Sequence, residues 1–518
     1  MTARIAGRTP FPSALDAARR RRELERLGDE PFVDVLVIGG GITGAGIALD
    51  AASRGLRTVL VERHDLAHGT SRWSSKLVHG GLRYLASGQF GIAHESAAER
   101  HLLMTRIAPH LTRAVAQVLP LYAPDHMSQG ALIGAGYGMG DGLRRFVGTP
   151  DAVLRSPGPI GPGETLRLAP GVRADDLRGA MRGWDGQLLD DARLVVAVAR
   201  TAAGYGASVL TRVEALEATG DSARLRDTLT GAELTVGARA VVSAAGVWAA
   251  ELDAGIRLRP SRGTHLIVDT ARLGGSDVSL TVPVPGSRSR FVFTLPTQHG
   301  RTYIGLTDVP ADGPLPDVPE ATDAEIDMLL DVVGSVLERP LTRDDVIGTF
   351  AGLRPLLTSA HDEDQTSDLS RKHAILESDD GVLSVVGGKL TTYRRMAQDG
   401  VDEAVRRRVL PAARPAVTRS LPLVGAWPRH RLHEIAAPAR LVRRYGAEAP
   451  FAAGLPDGPG AARGVTAQEL QWAVAVEGAL TLDDVLDRRT RLGLVAADRA
   501  QSTDAAVAAF ERAGVDPA

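Results

Sequence analysis

The sequence has no cysteine among its 518 residues. Disulfide bonds, thiolate nucleophiles, and metal or iron–sulfur sites with cysteine ligands are therefore excluded. No metal site is expected from the remaining residues. Because no thiol is present to carry electrons, any redox chemistry would have to come from a bound cofactor.

The sequence also lacks a strong net charge and long hydrophobic runs. The sequence has 60 lysines and arginines and 62 aspartates and glutamates, which gives a formal net charge of -2. This charge does not indicate a nucleic-acid partner. No stretch approaches the roughly 20 apolar residues that a membrane span requires. Residues 1–30 are basic but lack the apolar run of an export signal. We expect a cytoplasmic protein, or one attached only to a membrane surface.

Residues 33–62 contain the most informative pattern in the chain. The apolar run 35–38 predicts a buried parallel strand, a helical pattern extends from residue 42 to about residue 54, and 58–61 predicts a second strand. Between the first strand and the helix, three glycines have G-x-G-x-x-G spacing: Gly39, Gly41 and Gly44. This order of elements predicts a Rossmann-like dinucleotide-binding unit.

Each residue of this motif has a physical task. Gly39 permits the tight turn, Gly41 lets a pyrophosphate approach the backbone, and Gly44 allows close packing of helix and strand. The helix N-terminus offers free N–H groups to phosphates. Glu62, at the end of the second strand, can accept hydrogen bonds from ribose hydroxyls and would repel the 2′-phosphate of NADP. The motif alone does not decide between FAD and NAD.

Residues 69–85 interleave hydroxyl and basic side chains with leucines and a valine. The apolar residues would anchor the segment while the polar ones line a pocket, although a polar surface loop remains an alternative. Ligand contacts are expected from Thr70, Ser71, Ser75, Lys76, His79, Gly80, Arg83 and Tyr84.

Two further strand ends carry small residues that let a ligand approach the backbone. A strand beginning at Val241 ends near Ala245 and Gly246. The strand 383–386 leads into Gly388, Lys389, Leu390 and Thr391 and then a helix extending to about residue 408. The positive end of that helix would stabilise negative charge on a reduced flavin, which favours FAD over NAD.

These patterns predict an α/β protein: a Rossmann-like FAD-binding domain with an antiparallel β-sheet cap and a helical C-terminal domain. The expected boundaries are 1–30 for an N-terminal arm, 31–410 for the FAD domain with cap segments near 111–183 and 256–345, and 411–518 for the helical domain. Residues 91–118 are predicted as a helix, either continuous or broken near Pro109, and 131–170 as loops with short helices. Residues 401–450 hold ten arginines against four acids, which indicates either a solvated helical face or a lipid-binding patch.

Several stretches together resemble FAD-dependent glycerol-3-phosphate dehydrogenase, the respiratory, quinone-linked enzyme of the glycine-oxidase-like and D-amino-acid-oxidase-like flavoproteins. They span residues 34–494 and occur in that family's order: DVLVIGGGITGAGIALDAASRGL, GTSRWSSKLVHGGLRYL, DDARLV, RGTH, AGLRPLL, GGKLTTYR and LDDVLDRRTRLGL. Trp73 departs from the arginine or small polar residue expected at its position.

The resemblance implies oxidation of sn-glycerol 3-phosphate to dihydroxyacetone phosphate by hydride transfer to FAD, with electrons passed to a membrane quinone at the cytoplasmic face. It implies that the substrate site is lined by Arg83, Tyr84, Arg354, Arg371 and Lys389. His265 and Arg354 are the expected catalytic residues, and His265 is the expected proton acceptor, because a histidine can take up a proton near neutral pH.

Two other functions remain open at this stage. One is glycerol-3-phosphate oxidase, which reduces oxygen and carries an extra internal segment that is not evident here. The other is a flavin-binding protein without catalysis. The sequence also leaves a homodimer open.

Overall fold

The computed structural model describes residues 11–81, 88–123, 126–287, 290–311, 313–357, 373–410 and 413–518. Two sheets and a C-terminal group of helices make up this part of the chain. The α-helices, in chain order, are Ala17–Asp29, Ile42–Ser53, Phe90–Leu102, His126–Phe146, Pro162–Leu168, Asp191–Gly204, Ala249–Leu252, Asp323–Gly334, Tyr393–Arg407, Ala439–Tyr445, Ala449–Ala453, Ala467–Ala475 and Ala496–Ala513.

The first sheet has eight strands and a mainly parallel centre. Its apolar strands are buried on both faces, as parallel strands covered by helices require. Helices Ile42–Ser53, Asp191–Gly204 and Tyr393–Arg407 pack beside one another on one face. In spatial order the main path is Ala374–Glu377, Leu383–Val386, Glu233–Ser243, Phe32–Ile38, Thr58–Glu62 and Ser208–Thr211; Ser222–Asp227 pairs with Glu233–Ser243 and with Val213–Ala218. The predicted Rossmann-like α/β fold is confirmed.

The second sheet has ten strands and covers the first. Residues from helix Asp323–Gly334, including Leu329 and Val333, pack against its apolar side. All but one of its pairs are antiparallel; Ser279–Pro283 and Thr112–Tyr122 run parallel. In spatial order the path is Val309–Pro310, Ser261–Asp269, Arg301–Gly305, Phe291–Pro296, Ser279–Pro283, Thr112–Tyr122, Leu177–Leu188 and Leu77–Val78, with Gly348–Arg354 beside Ser261–Asp269 and Gly158–Ile160 beside Leu177–Leu188.

Two predictions for the cap region were wrong. The α-helix expected over 91–118 covers only Phe90–Leu102, and a π-helical turn continues it to Ile107, close to the break considered at Pro109. The remainder, Thr112–Tyr122, is a strand paired along its length with Leu177–Leu188. The expected loops after residue 131 are instead occupied by the 21-residue helix His126–Phe146. The helix is held to the sheet by its larger side chains, since Ile133 and Tyr137 pack against Leu119, Leu121 and Met181.

The C-terminal helices are joined to the first sheet by buried ion pairs. Arg193 pairs with Glu477, and Asp65 pairs with Arg488 and Arg489. The stretch 401–450 offers few unpaired arginines for lipid, since Arg406, Arg407, Arg408, Arg431, Arg440 and Arg444 all form ion pairs with acids. None of the helices in the described ranges combines the length and hydrophobicity needed to cross a bilayer.

Candidate active site

A cavity of about 1400 Å³ lies between the two sheets. One end is bounded by the glycine turn, Glu62, Val213 and Trp248. The other end is bounded by cap side chains together with the residues that follow strand Leu383–Val386. The cavity therefore connects the two ligand-binding regions that the sequence predicted separately.

The glycine turn leaves no space for a side chain at Gly39 or Gly44. Gly39 has φ of +111°, and a Cβ there would lie 2.6 Å from the carbonyl oxygen of Ala244. Gly44 does not line the cavity; its Cβ would lie 1.9 Å from the carbonyl oxygen of Gly39, so its task is close packing. Gly41 faces the cavity, where the Ile42 N–H at the helix N-terminus donates to Ser71 Oγ at 2.9 Å. This is a suitable site for a phosphate group.

Glu62 closes the same end of the cavity. The Gly40 N–H donates to its Oε2 at 2.6 Å, and the His64 N–H donates to its Oε1 at 2.8 Å. Burial raises the pKa of Glu62 more than these two backbone donors lower it. The carboxylate is thereby fixed at the cavity wall, where a ribose hydroxyl can donate to its remaining lone pairs.

The second turn lies at the opposite end. Gly388, Lys389, Leu390 and Thr391 line the cavity, and the short 3-10 turn Leu390–Thr392 leads directly into helix Tyr393–Arg407. Lys389 Nζ donates to Ser96 Oγ at 3.2 Å. A positive helix end and a lysine therefore face the cavity together, as negative charge on a bound ring would require.

Arg354, the last residue of strand Gly348–Arg354, also lines this end. Its Nη1 donates to Ser261 Oγ at 3.2 Å and to Asp308 Oδ1 at 3.3 Å, and its Nη2 donates to the Thr307 carbonyl at 3.2 Å. These contacts hold the guanidinium at the wall. Arg354 and Lys389 thus place two cationic groups around one cavity, as binding of a phosphate dianion requires.

Lys76 does not line the cavity, contrary to the expectation of direct cofactor contact. Its buried Nζ donates to Asp191 Oδ2 at 2.9 Å and to the carbonyls of Arg72 and Ser74. Burial lowers the pKa of Lys76 to about 8, although Asp191 opposes this effect. Lys76 therefore fastens the loop 69–78 to helix Asp191–Gly204, while the neighbouring hydroxyls of Ser71 and Ser75 face the cavity.

His265 is also absent from the cavity wall. Its ring is fully buried and stacks on Phe350 with a centroid distance of 4.6 Å, and its Nε2 lies 2.9 Å from Ser75 Oγ. Burial, followed by the charge of Lys76, lowers the pKa of His265 well below its usual range. The imidazole is therefore neutral at physiological pH, and Ser75 connects it to the cavity.

Most of the predicted site residues meet in this cavity. Gly80 does not line it; a Cβ there would lie 2.3 Å from Arg100 Nη1, so this glycine gives room to an arginine. Arg83, Tyr84 and Arg371 lie outside the described residues. The predicted residues that line the cavity are Gly39, Gly41, Glu62, Thr70, Ser71, Ser75, His79, Ala245, Gly246, Arg354, Gly388, Lys389, Leu390 and Thr391.

Several lining residues were not predicted from the sequence. Trp248 lies two residues after the Ala245–Gly246 turn, which was a usable signal, and Arg63 is stacked over its ring at 5.1 Å. Asp185 binds Arg100 at 2.5 Å and lies 3.4 Å from His79. Burial raises the pKa of Asp185, but Arg100 and His79 outweigh that effect and lower it. Tyr137 was missed because its helix was not predicted.

The residues fit FAD. At one end the cavity has a glycine turn, in which Gly41 leaves the helix N-terminus uncovered by a side chain, with a fixed carboxylate beside it; at the other end it has a positive helix end. A flavin adenine dinucleotide needs these features in this order, because its pyrophosphate, ribose and ring system are spread along an extended molecule.

The comparisons with known proteins agree with this assignment. A family model described as FAD dependent oxidoreductase matches residues 34–445. A second model, described as the C-terminal domain of alpha-glycerophosphate oxidase, matches residues 416–513. The chain is 52% identical over 501 residues to "Glycerol-3-phosphate dehydrogenase 1" of Mycobacterium tuberculosis (strain ATCC 25618 / H37Rv), a match that covers 95% of this chain and 97% of that protein. Its identity to "Glycerol-3-phosphate dehydrogenase 2" of the same strain is 40%, covering 93% and 84%.

Two solved structures share the fold. The X-ray structure of the glycerol-3-phosphate dehydrogenase from Bacillus halodurans complexed with FAD has a TM-score of 0.71 and 28% identity, and the match covers 96% of this chain and 94% of that one. The L-alpha-glycerophosphate oxidase from Mycoplasma pneumoniae, with FAD bound, has a TM-score of 0.56 and 17% identity, covering 76% and 99%. The second likeness concerns the fold alone.

Proposed function

The chain belongs to the FAD-dependent oxidoreductases and, among them, to the glycerol-3-phosphate dehydrogenases, and we propose that it oxidises sn-glycerol 3-phosphate to dihydroxyacetone phosphate and passes the electrons to a membrane quinone. The membership confirms the resemblance, the cofactor and the enzyme class expected from the sequence. The observation that carries the proposal is the joint position of Arg354 and Lys389 on the wall of the cavity that the glycine turn closes.

The residues divide the task along the cavity. Gly39, Gly41 and the first amides of helix Ile42–Ser53 would hold the pyrophosphate of FAD, and Glu62 its ribose. The amides at Gly388–Thr391 would hold the ring end. When bound, FAD supplies the hydride acceptor.

At the ring end, the substrate must be oriented by its phosphate and deprotonated at its C2 hydroxyl. Arg354 and Lys389 would bind the phosphate, since both cations face the same space. The C2 hydroxyl would donate its proton to Ser75 Oγ as Ser75 donates its own to His265 Nε2, 2.9 Å away. His265 is neutral and can accept this proton, but burial and the charge of Lys76, which lower its pKa, also make it a weak base, so proton uptake would be coupled to loss of the C2 hydride from the substrate.

The direct test of the substrate is spectroscopic. The purified protein should show flavin absorption, and anaerobic addition of sn-glycerol 3-phosphate should bleach it. Glycerol, which lacks the phosphate, is the matched control and should leave the spectrum unchanged at the same concentration. If the protein shows a flavin spectrum that glycerol 3-phosphate does not bleach, it binds flavin but does not have the proposed activity.

A glycerol-3-phosphate oxidase is the second candidate, because the family model over residues 416–513 carries an oxidase's name. The two activities differ only in the electron acceptor. We expect reoxidation by a soluble quinone analogue to be much faster than by dissolved oxygen, with little hydrogen peroxide formed. Peroxide produced in air at a rate comparable to quinone turnover would establish the oxidase instead.

We propose that the enzyme attaches to the cytoplasmic face of the membrane through its cap. Phe90 and Phe146 have exposed fractions of 66% and 78%. The ring centroid of Phe146 is 5.7 Å from that of His94, which lies one turn after Phe90 in helix Phe90–Leu102. Exposed aromatic side chains partition favourably into a membrane interface. Helix His126–Phe146 also lines the cavity through Ile133 and Tyr137, so docking here would bring the cavity near the quinone.

Liposome flotation tests this attachment. The double variant Phe90→Ser/Phe146→Ser should float less than the wild-type protein with vesicles containing anionic lipid. Phe451→Ser, which removes another exposed aromatic ring, is the control and should float like wild type. Equal flotation of all three proteins would exclude the cap as the attachment surface.

A further inference from the structure

A cluster of three potential metal ligands lies at the adenosine end of the cavity and has no task in the proposed reaction. His64 and His68 follow the Glu62 strand end, and Asp317 comes from the segment before helix Asp323–Gly334. The two imidazole rings are stacked, with centroids 3.9 Å apart and planes inclined by 18°. Both histidines line the cavity. The cluster thus lies beside the cofactor site and outside the part of the cavity assigned to the substrate.

The distances suit one small divalent cation. His64 Nε2 lies 3.5 Å from Asp317 Oδ1, and His68 Nε2 lies 3.8 Å from the same oxygen. One ligand atom from each of the three residues lies within 4.8 Å of the others. In a tetrahedral zinc site with bonds of about 2.0–2.1 Å, ligand atoms are about 3.3–3.4 Å apart. Because the stacked rings direct their in-plane lone pairs nearly parallel, rotation of one ring together with an inward movement of the exposed Asp317 side chain would complete the geometry.

One of the ligand atoms is available for coordination. His68 Nε2 is buried and has no hydrogen-bond partner within the described ranges. This ring nitrogen could therefore bind a cation without breaking a hydrogen bond of the described structure.

Nearby cations are already engaged by other acids. Arg63 lies 3.9 Å from Asp317 Oδ1 but also 3.1 Å from Glu251 Oε2, so it keeps a partner when Asp317 turns to a metal. Arg488 is paired with Asp65 and Asp484. Repulsion from these two arginines would weaken the binding of a divalent ion here, but it would not prevent coordination by two imidazoles and a carboxylate.

We propose that His64, His68 and Asp317 bind one divalent transition-metal ion of the zinc class, with water in the fourth position. Two imidazoles and a carboxylate are ligands that this class accepts, whereas Mg²⁺ and Ca²⁺ prefer an all-oxygen set. The bound ion would cross-link the segment that follows Glu62 to the segment before helix Asp323–Gly334 beside the adenosine half of FAD. This departs from the sequence-based expectation that the protein has no metal site.

The test uses the full-length, tag-free protein with FAD bound, so that no engineered histidines compete. Co²⁺ reports coordination through its visible ligand-field bands, and Zn²⁺ binding is followed by isothermal titration and by displacement of Co²⁺. The variants are Asp317→Asn, which changes an exposed carboxylate, and His68→Gln. His430→Gln, which removes an exposed histidine outside the cluster, is the matched control. Thermal unfolding and flavin content confirm that each variant is folded.

We expect one Co²⁺ per chain with bands of tetrahedral intensity, displaced stoichiometrically by Zn²⁺. Asp317→Asn and His68→Gln should each weaken Zn²⁺ binding at least about tenfold, whereas His430→Gln should leave it unchanged. Bands of octahedral intensity, or equal Zn²⁺ affinity in the wild type and Asp317→Asn, would overturn the proposal. Because binding is read in the absence of glycerol 3-phosphate, this result does not depend on the proposed activity.

Discussion

Ser75 Oγ lies 2.9 Å from His265 Nε2, and of these two residues only the serine lines the cavity. The histidine ring is fully buried against Phe350. A proton leaving a molecule in the cavity can therefore reach the imidazole through the serine hydroxyl. This arrangement makes Ser75 as important to the proposed reaction as His265.

If Ser75 and His265 form one proton path, replacing either residue should slow flavin reduction. Because general base catalysis typically contributes about 10²–10⁴-fold, His265→Gln should slow anaerobic flavin reduction by glycerol 3-phosphate by about that factor. Ser75→Ala should slow it by at least tenfold, and the double variant should be little slower than His265→Gln, since both residues serve one path. Stopped-flow absorbance measures all three rates.

The control for this path is Ser276→Ala, which removes a hydroxyl that donates to the Leu168 carbonyl at 2.9 Å. It should reduce its flavin at the wild-type rate. A normal rate in Ser75→Ala combined with a slow rate in His265→Gln would refute the relay and require the histidine to reach the substrate directly.

Arg354 should act on substrate binding and leave the cofactor in place. Loss of a charge-assisted contact costs about 1.5–3 kcal/mol, so Arg354→Ala should raise the KM for glycerol 3-phosphate by about 10- to 100-fold at normal flavin content. Arg178→Ala, at an exposed position on the cap, should have the wild-type KM. Steady-state kinetics with an artificial electron acceptor measure the effect, and an unchanged KM in Arg354→Ala would rule out the phosphate contact.

Gly41 allows cofactor binding to be separated from folding. A Cβ at this position would meet only Ser71 Oγ, at 3.2 Å, and would project into the cavity. Gly41→Ala should therefore yield a folded protein with reduced FAD affinity, measured by flavin content and by titration of the apoprotein. Gly91→Ala has no atom within 4 Å of the added carbon and is the control. Full FAD occupancy in Gly41→Ala would contradict the position proposed for the pyrophosphate.

The cofactor half of the fold was predictable because its information is local. Strand 35–38, the glycine turn and the following helix form a contiguous unit, and the φ of +111° at Gly39 is one that glycine adopts readily. The cap was harder to predict. Helix His126–Phe146 is rich in glycine, which disfavours an isolated helix, and it is supported by Ile133 and Tyr137, which pack against a small apolar cluster on the sheet.

The sequence predicted most of the residues that form the candidate site, but it did not predict which way their side chains point. A basic residue in a loop beside the cofactor site can point into the cavity or toward a buried acid. Lys76 points toward a buried acid, Asp191, which comes from a helix distant in sequence. His265 likewise lies on a strand whose register sets it beside Phe350. Such choices depend on long-range pairing, so neither local spacing nor composition could reveal them.

Buried histidines predict acid sensitivity. Burial, followed by the charges of Arg193 and Arg429, lowers the pKa of His110 to about 3, whereas an unfolded histidine titrates near about 6.5. Below that pH the unfolded chain binds a proton that the folded chain does not, so stability falls as the pH decreases, by up to about 1.4 kcal/mol per unit for this residue. His110→Gln should lose less unfolding free energy between pH 7 and 5 than wild type.

Urea titrations at both pH values measure this difference, and the exposed residue His433 provides the control. His433→Gln should have the same pH dependence as wild type. If His110→Gln lost as much stability on acidification as wild type, protonation of His110 could not be a source of the acid sensitivity.

The pair of Arg193 and Glu477 should hold the C-terminal helices to the FAD domain. Arg193 Nη1 and Nη2 donate to the two carboxylate oxygens of Glu477 at 2.6 and 2.8 Å, and both side chains are buried. Burial alone would raise the pKa of Glu477, but Arg193 outweighs it and lowers that pKa to about 2. The carboxylate is therefore charged wherever the protein is folded near neutral pH.

Replacing one partner leaves the other charge buried and unpaired, at a cost of about 3–5 kcal/mol. Glu477→Gln should therefore lower the thermal unfolding midpoint by several degrees. The double variant Arg193→Met/Glu477→Leu should recover part of that loss, because no unpaired charge remains in the interior. Glu434→Gln, which breaks the exposed pair with Arg431, should change stability by less than about 1 kcal/mol. Equal midpoints for Glu477→Gln and Glu434→Gln would mean that the buried pair does not stabilise the junction.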